Sequence, residues 1–199
     1  MHAKSVTGLD HQFDKEDTAS GDERKFTEIR KLLDSEWQRR GEVRSRMEGA
    51  GLCLEDVESY EDFTRIPPLS KKELITLQNQ SFSSLLTVPP GELSRIYMSP
   101  GPLFDPEGRD EDYWGWTEGF SAAGFRTGDL VQMTFSYHLT PAGLMLEEPL
   151  KQLGCAVIPA GPGNTDTQIQ LLTRLPVTGF VGMASFLKII ADKAEKKGL

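Results

Sequence analysis

Two stretches of the chain hold residues whose kinds and spacing could act on a phosphate or a carbonyl group. Gly161-Pro162-Gly163-Asn164-Thr165 follows a β-favouring run, Ala156 to Pro159, and opens a helical one. Glycines let a backbone come close to an anion, and the first N–H groups of a helix are donors without an intrahelical partner. Asp166 stands where a GxGxxG fingerprint would have its third glycine. Its carboxylate suits the positive end of a helix dipole but repels a pyrophosphate, so a plain N-cap at Asn164 or Thr165 is the simpler reading. A nicotinamide-binding Rossmann domain is the alternative for the same residues.

The other stretch runs Thr134-Phe135-Ser136-Tyr137-His138-Leu139-Thr140-Pro141-Ala142-Gly143. Ser136 and His138 have the types of a nucleophile and its base. No GxSxG elbow surrounds Ser136, however, and no acidic orienter is identifiable, which argues against hydrolase chemistry. Cys53 and Cys155 are far apart, and His2, His11 and His138 are scattered. With neither a CxxC pair nor Cys/His ligand spacing, no protein-built zinc site is expected.

The elements that would position these residues follow from periodicity. After Pro89-Pro90-Gly91, short apolar runs alternate with helical stretches. Strands are predicted at Leu93 to Met98, Leu130 to Phe135, Ala156 to Pro159 and Gly179 to Met183. Helices are predicted near Glu111 to Gly124, Pro141 to Leu153, Thr165 to Leu175 and Ala184 to Lys197. Such alternation predicts an α/β fold, a mostly parallel sheet flanked by helices, with function in the loops at the carboxyl ends of the strands. Ahead of it lies a small helical N-terminal region. There Phe26, Ile29, Leu33 and Trp37 share one face of a long helix that ends before Gly49 or Gly51, and Ser20 and Glu23 have capping-box spacing. A short helix near Glu58 to Phe63 stops at Pro67-Pro68, and Ser70 with Glu73 opens the next. The expected organisation is a flexible tail over 1–21, a helical region over 22–90 and an α/β subdomain over 91–199. Trp114 and Trp116 cannot share a helical face, which places at least one of them at a surface and hints at a homo-oligomer. The basic run Lys193 to Lys197 reads as a solvated last helical turn.

Composition bounds the function. A net charge of −8 excludes a chain whose main work is coating nucleic acid. No stretch approaches a membrane span or a signal-peptide core, so a soluble cytoplasmic protein without a membrane partner is expected.

Four segments also carry a resemblance. They are Ser99-Pro100-Gly101-Pro102-Leu103-Phe104-Asp105-Pro106, the Thr134 to Gly143 stretch, Val157-Ile158-Pro159-Ala160 with the glycine run to Thr165, and Gly182-Met183-Ala184-Ser185-Phe186-Leu187. Joined by Ile66 to Leu74 and Ala123 to Asp129, they resemble in order and spacing the phenylacetate–CoA ligase family of adenylate-forming enzymes. The resemblance covers roughly residues 25 to 199.

That resemblance implies an acid–CoA ligase using ATP, Mg2+ and coenzyme A on a carboxylic acid, aryl by the family's habit. It makes Ser99, Gly101 and Pro106 the remnant of a phosphate loop that in the family reads SSGTTGxP. Pro100 and Pro102 remove two backbone donors, and Leu103 and Phe104 bring no hydroxyl, so weakened phosphate grip or a ligand-free turn is expected. Phe135, Tyr137, His138 and Gly143 fall where the family places its acyl or aryl pocket, although Phe135 and Tyr137 could equally fill one core face. Gly161, Gly163, Asn164 and Thr165 are possible loop contacts. The family's YGxTE-like segment, ribose-binding Asp and distal catalytic Lys have no counterpart here. The expectation is therefore the N-terminal portion of a ligase, inactive alone: a deliberately shortened piece, a split-gene half needing a second chain, or a degenerate product. A non-catalytic module derived from a ligase, binding a small molecule or a protein, is the alternative.

Overall fold

The computed structural model describes residues 18–39 and 41–199. The expected flexible tail, with His2 and His11, lies outside the described residues except for its last few positions. Backbone contacts divide the chain into two compact units that meet in sequence at Pro90 and Gly91.

In the first unit, α1 spans Thr18–Arg39 and α2 spans Glu42–Gly49. The single long helix expected to run to Gly49 is therefore broken. Gly41 takes an extended conformation as the N-cap of α2, and the Arg44 guanidinium lies over the Trp37 ring at 4.5 Å, bracing the corner. Helix α1 starts ahead of Ser20, so that residue stands within the helix and not before it. The predicted stripe does face the core: Phe26, Ile29, Leu33 and Trp37 pack with Met47, Leu52, Leu54 and Val57. Arg30 ties α1 to the following turn through the carbonyls of Leu54 and Val57.

Helix α3, Tyr60–Phe63, and helix α4, Lys71–Ser81, both open on capping boxes. At α4 the Glu73 N–H donates to Ser70 Oγ at 3.3 Å, and the Ser70 N–H donates to Glu73 Oε2 at 2.9 Å. The Ser70 hydroxyl, donating to Glu73 Oε2 at 2.5 Å, then the Ser70 N–H, then Arg46 hold the Glu73 carboxyl down at about 2. Ser70→Ala is expected to destabilise this unit by about 1 kcal/mol, the usual weight of an N-cap hydroxyl. Urea denaturation reads it, and an unshifted midpoint would show the cap to be idle.

The second unit begins with β1, Arg95–Ser99, and β2, Leu103–Glu107, which pair antiparallel with Ser99 opposite Leu103. Here the structure corrects the sequence reading. The first predicted strand belongs to a separate hairpin and not to the alternating series. Then come α5 (Thr117–Ala122), β3 (Leu130–Met133), α6 (Ala142–Gln152), β4 (Ala156–Pro159), α7 (Thr165–Arg174), β5 (Gly179–Val181) and α8 (Ala184–Lys196). Helix α5 is much shorter than the predicted Glu111 to Gly124. Asp112 captures the N–H groups of Trp116 and Thr117, and Gly115 turns the chain with φ 70°, so no helix forms before Thr117. Neither Trp114 nor Trp116 lies in a helix; Trp116 stays exposed, and Trp114 is half-buried.

Strands β4, β3 and β5 form a parallel sheet in that order, and helices flank it as expected. The core of this unit includes Val131, Met133, Leu146, Leu150, Ile169, Val181 and Ile190. The chain steps to one side of β3 to make β4, then crosses back to make β5. With right-handed crossovers that reversal puts α6 and α7 on opposite faces of the sheet. The crevice between diverging loops lies at the carboxyl ends of β3 and β4, the place where open α/β sheets receive ligands.

Candidate functional site

Three loops meet at that carboxyl edge: residues 134–141 after β3, 160–164 after β4 and 182–183 after β5. Backbone bonds draw them together. The Gly161 N–H donates to the Met133 carbonyl at 3.0 Å, which pulls the second loop over the end of β3. The Thr134 N–H donates to the Val181 carbonyl at 2.9 Å, and its hydroxyl reaches the same oxygen at 3.2 Å. Gly182 lies so close to Thr134 Oγ1 that a Cβ there would collide with it.

The 134–141 loop is anchored at both ends. The Ser136 carbonyl accepts from the Gly143 N–H at 2.9 Å, and a Cβ on Gly143 would stand 2.5 Å from that oxygen and 3.0 Å from Tyr137 Cγ. The Leu139 carbonyl accepts from the Met98 N–H at 2.9 Å, which joins this loop to the hairpin beside its turn. Leu139 holds φ 59°, a left-handed conformation uncommon for a leucine.

The residues singled out from the sequence are therefore partly brought together. Ser99 ends β1 next to the Met98–Leu139 bond, and Gly101 lies in the exposed turn with φ 149°. Since Pro100 and Pro102 have no N–H, the Ser99 hydroxyl and the Gly101 N–H are the donors this turn can direct at a phosphate. Pro106 sits well inside β2 opposite Ile96, apart from the turn.

Phe135 and Tyr137 are half-buried, Gly143 is buried and His138 is exposed. The Tyr137 hydroxyl is buried without a well-formed hydrogen bond. Desolvation, then the nearby Glu147 carboxylate, push its pKa far up, so the phenol stays neutral. Gly161 and Gly163 hold φ 68° and 77°, and their carbonyls accept from Gln168 Nε2 at 2.9 and 3.2 Å. Asn164 is the N-cap of α7 by position, in a left-handed conformation and without a side-chain cap bond, and Thr165 is the first helical residue. Asp166 does not stand alone at this helix start. Lys193 and Lys197 of the basic run reach it at 2.8 and 2.6 Å and hold its carboxyl at about 2.

Sequence reasoning missed two polar constellations. One is the Gln132–Gln168 pair beneath the glycine run, both side chains buried. The other is Glu107, buried on the inner face of the hairpin. Its Oε1 accepts from Arg95 at 2.5 Å, and its Oε2 accepts from the Tyr97 hydroxyl at 2.7 Å and Trp114 Nε1 at 3.0 Å. Arg95 continues to Glu148 on α6 at 3.0 Å. Desolvation pushes the Glu107 pKa up, but Trp114, Tyr97 and Arg95 together outweigh it and leave it lowered. This network borders a cavity of about 230 Å³ lined by Arg109, Asp110, Glu148 and Gln152 among others. None of the site residues picked from the sequence lines it, although Trp114 does. Both Glu107 oxygens are occupied, so the network joins hairpin to helix and offers no free base. Cys53 and Cys155 are free thiols, and no cluster fit to hold a metal is present among the described residues.

No protein-family model matches the chain. Over 163 residues it is 28% identical to the phenylacetate-coenzyme A ligase of Aromatoleum evansii, covering 78% of this chain and 36% of that protein. The phenylacetate-coenzyme A ligase of Escherichia coli is 27% identical over 171 residues, 81% of this chain and 38% of that protein. The chain is phenylacetate–CoA ligase-like. For the Thermus thermophilus enzyme of the same name, the identity is 24% over 183 residues, 86% of the ligase-like chain and 39% of the relative. The chain thus spans well under half the length of the curated relatives it matches. A 2-hydroxyisobutyryl-CoA ligase in the postadenylation state, in complex with R3-HIB-AMP, shares its fold with a TM-score of 0.83. The match covers 92% of the ligase-like chain and 40% of that protein at 22% identity. An open conformation of 2-hydroxyisobutyryl-CoA ligase with 2-HIB-AMP and CoA gives 0.79, again at 22% identity, over 91% and 41%. Among the described residues no helix is long and apolar enough to cross a membrane.

Proposed function

We propose that the ligase-like chain forms one wall of the acid-activating cleft of an ATP-dependent acid–CoA ligase. In that reaction a carboxylate oxygen attacks the α-phosphorus of ATP and expels pyrophosphate, and the thiol of coenzyme A then displaces AMP from the acyl adenylate. The supporting observation is the carboxyl edge. Two glycine-bearing loops, 134–143 and 160–165, converge at the strand-order reversal in a fold shared with CoA ligases. Residues on this wall would bind and orient. Phe135 and Tyr137 offer apolar surface and a phenol held neutral, suited to the body of the acid and not to its charge. Gly143 lets the loop lie close enough to α6 to hold those rings in place.

Toward the nucleotide this wall is poorly equipped. The hairpin turn retains the Ser99 hydroxyl and the Gly101 N–H as phosphate donors, so phosphate charge must be met mainly from elsewhere. The described residues do not fit a magnesium site of their own. The proposed cleft therefore requires the remaining part of the ligase, in this polypeptide or a second one, with a carboxylic acid as substrate. Assayed alone with phenylacetate or a small hydroxy acid, the 199-residue chain is expected to give no ATP–pyrophosphate exchange. Mixed with a polypeptide supplying the portion of a phenylacetate–CoA ligase that it lacks, it should gain exchange, and Gly161→Val should remove it. Exchange by the chain alone would refute dependence on a second part.

The two prolines of the turn favour one further reading, a non-catalytic module that binds an acid at the same edge. Correctly folded halves that stay silent together, while the chain alone binds acid in calorimetry, would select it.

A further inference from the structure

Beneath the 160–164 loop two glutamines are sealed in the interior. Gln132 projects from the middle strand β3 and is 0% exposed, and Gln168, in the first turns of α7, is 1% exposed. Gln168 Nε2 donates to the carbonyls of both Gly161 and Gly163. Its Oε1 accepts from Gln132 Nε2, which fixes which way the Gln168 amide faces. The remaining oxygen, Gln132 Oε1, is buried with no partner.

A buried amide adds little to stability even when fully bonded, and an unpaired buried acceptor subtracts from it. Two leucines would fill the same space between β3 and α7 without that penalty. The pair therefore needs an explanation other than packing, and the loop above supplies one. Gly161 and Gly163 have no side chains to restrain them, and both sit in left-handed conformations. Between them they have one backbone bond to β3, from the Gly161 N–H to Met133, and the two carbonyls taken by Gln168.

We infer that Gln168, oriented by Gln132, is a positioning residue that locks the Gly161–Gly163 turn over the carboxyl end of β3 and so sets the shape of the ligand-binding edge. Its effect on ligand rests on the reading of that edge given above, while its effect on the loop does not. In the full 199-residue chain, amide hydrogen exchange followed by NMR separates the two. Gln168→Leu should speed exchange of the Gly161 N–H at least tenfold while the Val131 and Gln132 amides keep their protection. Gln132→Leu exchanges one unpaired buried acceptor, Gln132 Oε1, for another, Gln168 Oε1, so its melting temperature should stay near the parent's even as Gly161 loses protection, a combination a merely structural role would not give. Should Gln168→Leu fail to fold, Gln132→Leu and Gln168→Glu carry the test. The Glu side chain faces two carbonyls without a donor and should free the loop as leucine does.

Unchanged Gly161 protection in these variants, or protection lost equally across β3, overturns the assignment. A second arm titrates the chain mixed with its complementary ligase portion with a phenylacetyl sulfamoyl adenosine analogue. Affinity should fall at least tenfold in Gln168→Leu, and equal affinity would overturn the positioning role. If the unaltered mixture does not bind the analogue, the ligase reading fails while the exchange result still decides the role of Gln168.

Discussion

Gly143→Ala is expected to destabilise the unit from Gly91 to Leu199 by about 2 kcal/mol and to lower its melting temperature by on the order of 10 °C. An added methyl near the start of α6 would meet the Ser136 carbonyl at 2.5 Å, inside any allowed contact. That oxygen belongs to backbone already bonded to the Gly143 N–H, so no side-chain rotation can clear the way. The loop must lift, the bond to Gly143 lengthens, and the Tyr137 ring is displaced from the glycine it touches. Overpacking with loss of one buried bond amounts to about 3 kcal/mol, and the better helix propensity of alanine returns at most about 1. Circular dichroism melts measure the sum. A variant melting within about 1 °C of the parent would show that the loop yields freely, and would remove the basis for calling Gly143 a determinant of the pocket wall.

Replacing Glu107 has the next largest expected effect. Glu107→Ala should cost about 3 kcal/mol, the low end for removing one member of a buried pair, because Arg95 keeps 33% of its side chain in solvent and relaxes toward water. The Tyr97 hydroxyl and Trp114 Nε1 lose their acceptor as well. The pH dependence has a definite sign. The folded-state pKa of Glu107 lies below its ordinary value, so the stabilisation it adds is present above the normal carboxylate range and is lost as pH falls through the folded pKa. Glu107→Gln does not titrate, so the gap in melting temperature between it and the parent should be widest near neutrality and close in acid. A gap that stays constant from about pH 7 down to about pH 3 would mean that the carboxylate is not the titrating stabiliser.

Much of the second unit could be read directly from the chain because its strands are continuous apolar runs bounded by turn residues. Ala156–Pro159 agrees at both ends with the predicted strand, and the helices at 142, 165 and 184 start within a residue of their predicted positions. Strand β2 was not legible. It turns Leu103, Asp105 and Glu107 toward one face and Phe104 and Pro106 toward the other. The buried face thus carries the acids and the exposed face the ring, the reverse of the usual alternation. At Glu107 the cross-strand Arg95, with Tyr97 and Trp114, makes that inversion tolerable, and such a partnership has no periodic trace. The break at Gly41 was hidden because Met47 returns close to the phase of the stripe, even though Arg40, Gly41 and Arg44 interrupt it after Trp37. At the candidate edge the glycines announced themselves by type, but their fastening did not. Gln132 lies amid apolar strand residues and Gln168 in phase with Leu171, Leu172 and Leu175, but a lone polar side chain on an apolar face carries no mark of its partner.

The two sheets also differ in how far apart in the chain their partners lie. The hairpin closes over a single tight turn, whereas every ladder of the β4-β3-β5 sheet must first enclose a helix, and the β3–β5 ladder encloses two helices and a strand. Loop-closure entropy must be met before those parallel pairings return any energy. Refolding from denaturant should accordingly be rate-limited by the arrival of β5, with the hairpin formed long before the edge that carries the glycine loops exists.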